Sequence, residues 1–340
     1  MLTKKQIKEI REHLEKAQNP LFFFDNDADG LCSFLVLQKY IGRGKGVAIK
    51  TFPDMTKDYF RKVKELEADY IFILDKAVVS VEFFEKAEQY NIPVVWIDHH
   101  KVHDDVPKFV NYYNPSNEPT TFFCYQISGK KDDLWVAVLG CVADRYLPDY
   151  YKDFQKIYPE LSIDAKDAYD VRYKSQIGGV VRILEFALKD KTTNVVSMLK
   201  FLMKAKSPYD VLEERTRNYS MHKRFKELNN KYLKVLKKAM LVGNSLENVL
   251  VFRYGGETKF SQNLADELMY HFPEKVIVVA YTDQAKITMS IRGKNIKDDV
   301  VKIIESLDDS TCGGHANSIG AKIKSEDLEK FEKKIRKLFR

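Results

Sequence analysis

The sequence has little cysteine and no long apolar run. Four cysteines occur in 340 residues (Cys32, Cys124, Cys141 and Cys312), and no two of them form a Cys-x-x-Cys pair. This spacing argues against a disulfide framework and against a thiolate zinc site. No apolar stretch approaches the roughly 20 residues of a membrane-spanning helix, and residues 1–18 lack the apolar centre of a signal peptide. We therefore expect neither a secreted nor a membrane protein, and a cytoplasmic location.

A large excess of one charge is also missing. Lys and Arg total 56 against 49 Asp and Glu, which gives a formal net charge of +7. That surplus fits a polyanionic partner, and it fits an ordinary basic enzyme equally well. The hydrophobic fraction of 44% and the charged fraction of 31% are sufficient for a buried core. The length allows one large domain or two ordinary ones.

Short apolar runs alternate with helical patterns in the first half. The runs that resemble buried strands are residues 21–24, 47–52, 70–74 and 93–97. Helical spacing of apolar residues lies between them, at residues 31–41, 58–68 and 81–90. This alternation predicts βαβ units around a parallel sheet. In such sheets, ligands bind outside the carboxyl ends of the strands.

The second half has a mainly helical pattern first, then a long lysine-rich helical pattern, and finally strand patterns. Residues 120–206 are mainly helical, and residues 212–240 form a long, lysine-rich helical pattern. Strand patterns return at residues 249–254, 275–281, 286–292 and 321–324. We predict an α/β fold of two domains with the active site in the cleft between them. The predicted parts are a parallel-sheet catalytic domain at 1–185, a helical connector at 186–240 and a smaller mixed-sheet domain at 241–340.

Acidic residues follow three of the predicted strands. They are Asp25, Asp27, Asp29, Asp75 and Asp98. His99 and His100 directly follow Asp98, and a further acidic residue, Asp144, lies at the end of an apolar helical segment. Carboxylates gathered at one sheet edge repel one another unless a cation neutralises them. Carboxylates with adjacent histidines suit Mn²⁺ or Mg²⁺. Such a set can hold two ions about 3.5–4 Å apart.

Each motif taken alone has an ordinary alternative. The Asp-x-Asp-x-Asp-Gly run at residues 25–30 suits an Asp-rich turn or a calcium loop, although no Glu stands at the twelfth position of such a loop. The Asp-His-His run at 98–100 suits a helix cap with two surface histidines. The occurrence of all these motifs at successive strand ends of one α/β domain favours the metal site.

The order of these motifs resembles the DHH phosphoesterase superfamily. The C-terminal run TCGGHANSIG at residues 311–320 resembles the Gly-Gly-His signature of the DHHA1 domain, and Ser290-Ile291-Arg292 resembles its Ser-x-Arg segment. The resemblance spans about residues 20–325, with both halves in the expected order. Its layout is similar to that of short archaeal RecJ-like single-strand exonucleases.

The resemblance implies the ligands of two divalent ions, Mn²⁺ being preferred and Mg²⁺ also suitable. Asp75 matches the residue that bridges both ions. Asp29, His99 and Asp144 match ligands of the second ion, and Asp27 matches a ligand of the first. Asp75 and His99 are also predicted to be catalytic.

One position departs from the pattern of the superfamily. Phe23 stands where many relatives have a histidine, so Asp25 or water would complete a looser first metal site, with low occupancy expected. His100 matches the second histidine of the motif, which faces the reacting phosphate in relatives. Asp98 matches the carboxylate that orients a histidine. These two residues complete the predicted catalytic set.

The C-terminal motif predicts a grip on a phosphate. Gly313 and Gly314 would let backbone amides approach the phosphate closely. His315 would donate to the same group, Arg292 would make a bidentate contact, and Ser290 belongs to the same segment. The Gly-Gly-His run alone would also suit a plain tight turn, but the Ser-x-Arg segment and the first-half motifs favour phosphate binding.

These features predict a metal-dependent phosphodiesterase that acts as an exonuclease on single-stranded DNA or RNA and releases mononucleotides by two-metal hydrolysis. A 3′-to-5′ direction and a replication or repair protein partner are favoured by the resemblance. The lysine-rich helix would contact a nucleic-acid backbone. Alternatively, its lysines form an ordinary solvated helix face.

Two other functions are also compatible with the sequence. One is a small-substrate relative with the same catalytic residues: an oligoribonuclease (nanoRNase), a 3′-phosphoadenosine 5′-phosphate phosphatase or a cyclic-dinucleotide phosphodiesterase. The other is a non-catalytic scaffold of replication or repair. A scaffold would be expected to lose several metal ligands, whereas this sequence keeps nearly all of them.

Overall fold

The computed structural model describes residues 1–51, 54–102, 105–283 and 286–340. The chain forms two compact units, Met1–Phe225 and Lys226–Arg340. The boundary between the units falls inside one long helix, Tyr219–Gly243. The finer division at residues 185 and 240 stays a prediction.

The first unit is built around a five-stranded sheet. The strands of the first unit are β1 Pro20–Asp25, β2 Lys45–Ile49, β3 Asp54–Met55, β4 Tyr70–Leu74, β5 Val78–Val79, β6 Val94–Ile97 and β7 Val110–Tyr113. Strands β3 and β5 form a separate two-stranded sheet, and the other five form the main sheet. The order in the main sheet is β2-β1-β4-β6-β7, and every neighbouring pair is parallel. The predicted parallel sheet is confirmed. Strand β7, with the sequence Val-Asn-Tyr-Tyr, was not predicted.

Helices surround this sheet and continue after it. They are α1 Lys4–Lys16, α2 Ala28–Ile41, α3 Phe60–Glu65, α4 Val81–Gln89, α5 Thr120–Ser128, α6 Leu134–Ala143, α7 Tyr151–Ile157, α8 Ala168–Lys174, α9 Gln176–Leu188, α10 Thr192–Leu202, α11 Pro208–Leu212 and α12 Tyr219–Gly243. The two faces of β1 bury different clusters, because successive side chains point to opposite sides of a strand. Phe22 and Phe24 pack with α2, whereas Leu21 and Phe23 pack on the other face. A strand buried on both faces explains the continuous apolar run.

The second unit has a mixed five-stranded sheet. Its elements are β8 Val249–Tyr254, α13 Ser261–His271, β9 Val276–Asp283, β10 Lys286–Arg292, α14 Lys297–Glu305, β11 Thr311–His315, β12 Ser318–Lys324 and α15 Leu328–Leu338. The order is β11-β12-β10-β9-β8, with β8 and β9 parallel and the other pairs antiparallel. The predicted mixed sheet is confirmed. The Gly-Gly-His run, for which a plain tight turn was the alternative to phosphate binding, belongs to strand β11.

Candidate metal centre

Three neighbouring strands deliver Asp residues to one edge of the parallel sheet. Asp25 is the last residue of β1, while Asp75 and Asp98 directly follow β4 and β6. The register places them side by side, because Phe24 pairs with Leu74 and Leu74 pairs with Ile97. Asp75 has a φ of 58°, a left-handed conformation that is uncommon outside glycine. The chain therefore turns sharply at the point where β4 reaches the site.

The Asp-rich run is held by the start of two helices. Asp27 is the N-cap of α2, where Oδ1 accepts a hydrogen bond from the Gly30 amide at 3.0 Å. Asp29 lies in the first turn of α2 and is 3% exposed. Its Oδ2 and Oδ1 accept hydrogen bonds from the amides of Thr120 and Thr121, both at 2.9 Å. Asp29 is thus fixed against the N-terminus of α5, which satisfies two helix-end amides.

The imidazole of His99 lies at the centre of the carboxylate cluster. Its Nε2 is 3.2 Å from Asp75 Oδ1, 3.7 Å from Asp144 Oδ2 and 4.0 Å from Asp29 Oδ2. One ligand atom from each of Asp29, His99 and Asp144 lies within 4.8 Å of the others. Oxygen and imidazole ligands in this arrangement fit a hard or borderline divalent cation. The structure therefore brings together four residues that the sequence assigned to a metal.

A second imidazole lies beside the first and is anchored by a buried carboxylate. His100 Nδ1 lies 2.8 Å from Asp98 Oδ1, and the His100 amide donates to Asp98 Oδ2 at 3.1 Å. Asp98 is fully buried. Burial opposes the charged imidazole, but the hydrogen bond and negative charge of Asp98 raise the pKa of His100 to about 9. His100 is therefore a cation at neutral pH in the metal-free chain, and it also forms a group with Asp75 and His99 that is compact enough for an ion.

Burial raises the pKa of three carboxyl groups of the cluster, those of Asp27, Asp29 and Asp75. Burial raises the pKa of Asp75 well above its ordinary range, and the neighbouring Asp29 and Asp27 carboxylates raise it further. Burial likewise raises the pKa of Asp29. The side chain of Asp27 is more exposed than those of Asp29 and Asp75. Loss of hydration beside the surrounding protein, and next the negative charges of Asp25 and Asp29, raise the pKa of Asp27 to about 8. A divalent cation bound here would relieve this repulsion.

One side chain of the site was missed by the sequence reasoning. The ammonium of Lys76 lies 3.0 Å from Asp25 Oδ1 and 3.1 Å from the Thr51 carbonyl oxygen. Lys76 is 1% exposed. Its carbonyl oxygen accepts a hydrogen bond from the Trp96 indole at 3.0 Å, which fixes the backbone as well. The available signal was a lysine directly after the Asp that ends a buried strand.

Two further residues at the site were also missed. Thr120 Oγ1 donates to Asp75 Oδ1 at 3.3 Å, so the helix that fixes Asp29 contacts a second carboxylate of the cluster. Arg145 has a φ of 62°, and its guanidinium lies 3.4 Å from Asp144 Oδ1. Neither residue belongs to a recognisable local motif, so neither was detectable from spacing.

The predicted phosphate-binding residues lie together on the second sheet. Ser290 and Gly313 pair with the same residue of the strand between them, Gly320. Gly314 has a φ of 146°, and a Cβ there would lie 2.1 Å from the Ser318 carbonyl oxygen, so this position requires glycine.

Arg292 and His315 are the other two members of the predicted phosphate grip. Arg292 is 4% exposed, and its Nε donates to Asp266 at 2.7 Å, so the guanidinium forms a buried ion pair. The side chain of His315 lies outside the described part of the structure, although its backbone belongs to β11. The phosphate-binding roles of these residues stay a prediction.

Family comparison supports the motif assignment in both halves. Residues 21–143 match the family model described as DHH family, N-terminal domain, and residues 246–340 match the DHHA1 domain. The chain is a DHH–DHHA1 protein. The recognition made from the two sequence signatures is confirmed. Asp144 lies one residue beyond the DHH match, so its place in the site rests on the geometry described above.

Solved structures with this fold are distant in sequence. RecJ of Thermus thermophilus in complex with Mn²⁺ has 13% identity and a TM-score of 0.67, over 98% of the DHH–DHHA1 chain and 54% of the RecJ chain. The DHH domain of a member of a family of ribosomal proteins has 13% identity and a TM-score of 0.69, over 98% and 89%. A pGpG-specific phosphodiesterase from Vibrio cholerae has 14% identity and a TM-score of 0.52, over 95% and 99%.

The similarity therefore establishes a RecJ-like fold, and the chain spans about half the length of the first of these proteins. No curated protein matches the DHH–DHHA1 chain in sequence. Within the described residues, no helix is long and apolar enough to cross a membrane.

Proposed function

We propose that this chain is a metal-dependent phosphodiesterase that degrades single-stranded DNA or RNA from one end and releases mononucleotides. The observation that carries the proposal is the position of His99, whose Nε2 lies 3.2 Å from Asp75, 3.7 Å from Asp144 and 4.0 Å from Asp29, with Asp29, His99 and Asp144 close enough together to hold one ion. Their residue types fit Mn²⁺ or Mg²⁺. A cation held there would supply positive charge to a phosphoryl oxygen and would acidify a water molecule.

The protein side chains would divide the remaining work. His100 is cationic at neutral pH in the metal-free chain, because Asp98 raises its pKa to about 9. Its imidazolium would donate a hydrogen bond to an oxygen of the scissile phosphate and stabilise negative charge there. Asp98 would hold the ring in orientation through the 2.8 Å contact with Nδ1. Asp29 and Asp75 would remain rigid because Thr120 donates to both.

The substrate assignment is supported by charge. Helix α12 has an exposed lysine face and a buried stripe that includes Leu228, Tyr232 and Ala239. The exposed lysines are Lys223, Lys226, Lys231, Lys234, Lys237 and Lys238. A row of cations on one helix face suits the phosphates of a nucleic-acid strand. A 3′-to-5′ direction belongs to the same proposal.

The deciding experiment compares chain length and label position. A 30-nucleotide strand of DNA or RNA, labelled at either end, and a dinucleotide are incubated separately with the protein and Mn²⁺. Stepwise release of mononucleotides from the 30-mer supports the exonuclease. Rapid cleavage of the dinucleotide with an intact 30-mer contradicts it and favours the oligoribonuclease alternative. No cleavage of either favours the scaffold.

A matched pair of variants tests whether the carboxylate cluster is responsible. Asp75→Asn removes a central ligand, and we expect hydrolysis to fall by about 10³-fold or more. Asp69→Asn serves as the control, because Asp69 lies before β4, at the opposite end of the same strand, where it accepts the amides of Gln18 and Asn19. Equal hydrolysis by the two variants would refute the assignment.

A further inference from the structure

Asp25 already carries a cation supplied by the chain itself. Lys76 Nζ lies 3.0 Å from Asp25 Oδ1, and the same ammonium donates to the Thr51 carbonyl oxygen at 3.1 Å. Asp25 is partly exposed, with 27% of its side chain accessible, whereas Lys76 is 1% exposed. The lysine therefore approaches the carboxylate from the protein interior.

A buried lysine needs partners to remain charged. Removing an ammonium from water is costly unless an opposite charge and hydrogen-bond acceptors replace its hydration. Asp25 and the Thr51 carbonyl provide these. The backbone of Lys76 is held by the Trp96 indole. The ammonium is thus a fixed feature of the site, not a mobile surface charge.

The ion pair between Lys76 and Asp25 affects how many metal ions the site can bind. In the described residues, compact groups of three possible ligands are formed by Asp29, His99 and Asp144 and by Asp75, His99 and His100. Neither group contains Asp25 or Asp27, which the sequence assigned to the first ion, whereas Asp75, assigned to both ions, belongs to the second group. A divalent ion bound to Asp25 would share that carboxylate with an ammonium, and the two positive charges would repel each other strongly in a partly desolvated site.

We propose that the Lys76 ammonium takes the place of the first divalent ion, so that the chain binds one ion, at Asp29, Asp75, His99 and Asp144. The inference rests on the function proposed above, because it concerns the ions of the same site. Lys76 would neutralise Asp25 and hold the Asp-rich run in position without a metal. In this role it is a positioning residue.

Metal stoichiometry tests the inference directly. The metal-free protein is dialysed against saturating Mn²⁺, bound Mn is counted by elemental analysis, and electron paramagnetic resonance detects magnetic coupling between neighbouring ions. We expect one Mn²⁺ per chain and an uncoupled spectrum. Two ions per chain with a coupled spectrum would overturn the inference.

Two variants test the part played by the lysine. Lys76→Met keeps the length of the side chain and removes its charge, so we expect the bound Mn²⁺ to rise from one to two per chain. Lys39→Met is the matched control, since Lys39 is also largely buried, donates to the Ala205 carbonyl and pairs with Asp133. The control should stay at one ion. A single ion in both variants would show that Lys76 does not exclude the second.

A third variant covers the case in which Lys76→Met does not fold. Asp25→Asn keeps an oxygen that accepts from Lys76 and removes the carboxylate charge. We expect one Mn²⁺ per chain in this variant, as in the parent chain. A loss of one bound ion relative to the parent would identify Asp25 as a metal ligand and overturn the inference.

Hydrolysis measured on the same preparations separates the two proposals. A parent chain that binds two ions and cleaves nucleic acid overturns the stoichiometry alone. A chain that binds one ion and cleaves no phosphodiester overturns the proposed function alone. A chain that binds no ion overturns both.

Discussion

Gly30 offers a sharp test of how the metal centre depends on close packing. It is the last residue of the Asp-rich run and lies in the first turn of α2. A Cβ added at Gly30 would lie 2.5 Å from the carbonyl oxygen and 2.8 Å from the nitrogen of Asp25. Both contacts are with backbone atoms, so no side-chain rotation can relieve them. Restoring an ordinary contact of 3.4 Å requires a displacement of about 0.9 Å between α2 and the end of β1.

The Gly30→Ala variant should lose both stability and catalysis. Overpacking of this kind costs about 1–3 kcal/mol, and the better helix propensity of alanine returns roughly 0.5–1 kcal/mol. The net destabilisation of the first unit should lie between about 0 and 2.5 kcal/mol, toward the upper end because both clashes are with backbone atoms. Because Asp25, Asp27 and Asp29 flank the clash, the ligands would move as well, and a displacement of about 1 Å can cost about 10²-fold in rate.

Thermal unfolding followed by circular dichroism and Mn²⁺-dependent hydrolysis provide the two readouts. Gly179→Ala is the control, because Gly179 lies exposed in helix α9 and a Cβ there meets nothing within 4 Å. This control should be neutral or slightly stabilised, by up to about 1 kcal/mol. If Gly30→Ala unfolds at the parent temperature and retains full activity, the packing argument is refuted.

Three other predictions follow from the charges of the structure. Asp98→Asn should lower the pKa of His100 from about 9 toward its ordinary 6.5, so a pH–rate profile should show the alkaline loss of activity at lower pH; an unchanged profile would contradict a role for the imidazolium. Asp266→Ala leaves the Arg292 guanidinium buried without this carboxylate, which should destabilise the second unit by about 3–5 kcal/mol in urea unfolding; a change under 1 kcal/mol would contradict it. The pKa of Asp27 is raised from 3.8 to about 8, so folding favours the protonated form, and the unfolding temperature of the metal-free protein should fall as pH rises from about 4 through 8. Saturating Mn²⁺ should reduce that fall, and a metal-free chain whose stability rises over this interval would contradict the predicted sign.

Local patterns in the sequence were enough to locate the parallel-sheet half of the fold. Four short apolar runs predicted parallel strands, because strands buried on both faces require apolar side chains at every position. All four occur in the sheet, although the second is shorter than predicted and ends at Ile49. Asp25, Asp75 and Asp98 could then be assigned to one edge, since parallel strands share the direction of their carboxyl ends. Strand β7 was missed because its run has only four residues and is interrupted by Asn111.

The positions of the motif residues relative to one another came only from the tertiary structure. Lys76 reaches Asp25 across 51 positions of sequence, and the Thr120 amide reaches Asp29 across 91. Spacing along the chain carries no information about such contacts, because they depend on how helices and strands pack. The same holds for Arg292, which sequence reasoning assigned to a phosphate and which the structure pairs with Asp266.

The sequence by itself therefore determined the residue types of the candidate metal centre and the sheet edge on which they lie, because both follow from local chemistry and from strand direction. The tertiary structure decided which carboxylates share His99 and which one faces the ammonium of Lys76. The physical reason is that electrostatic interactions depend on distance in space and on burial, and the fold sets both.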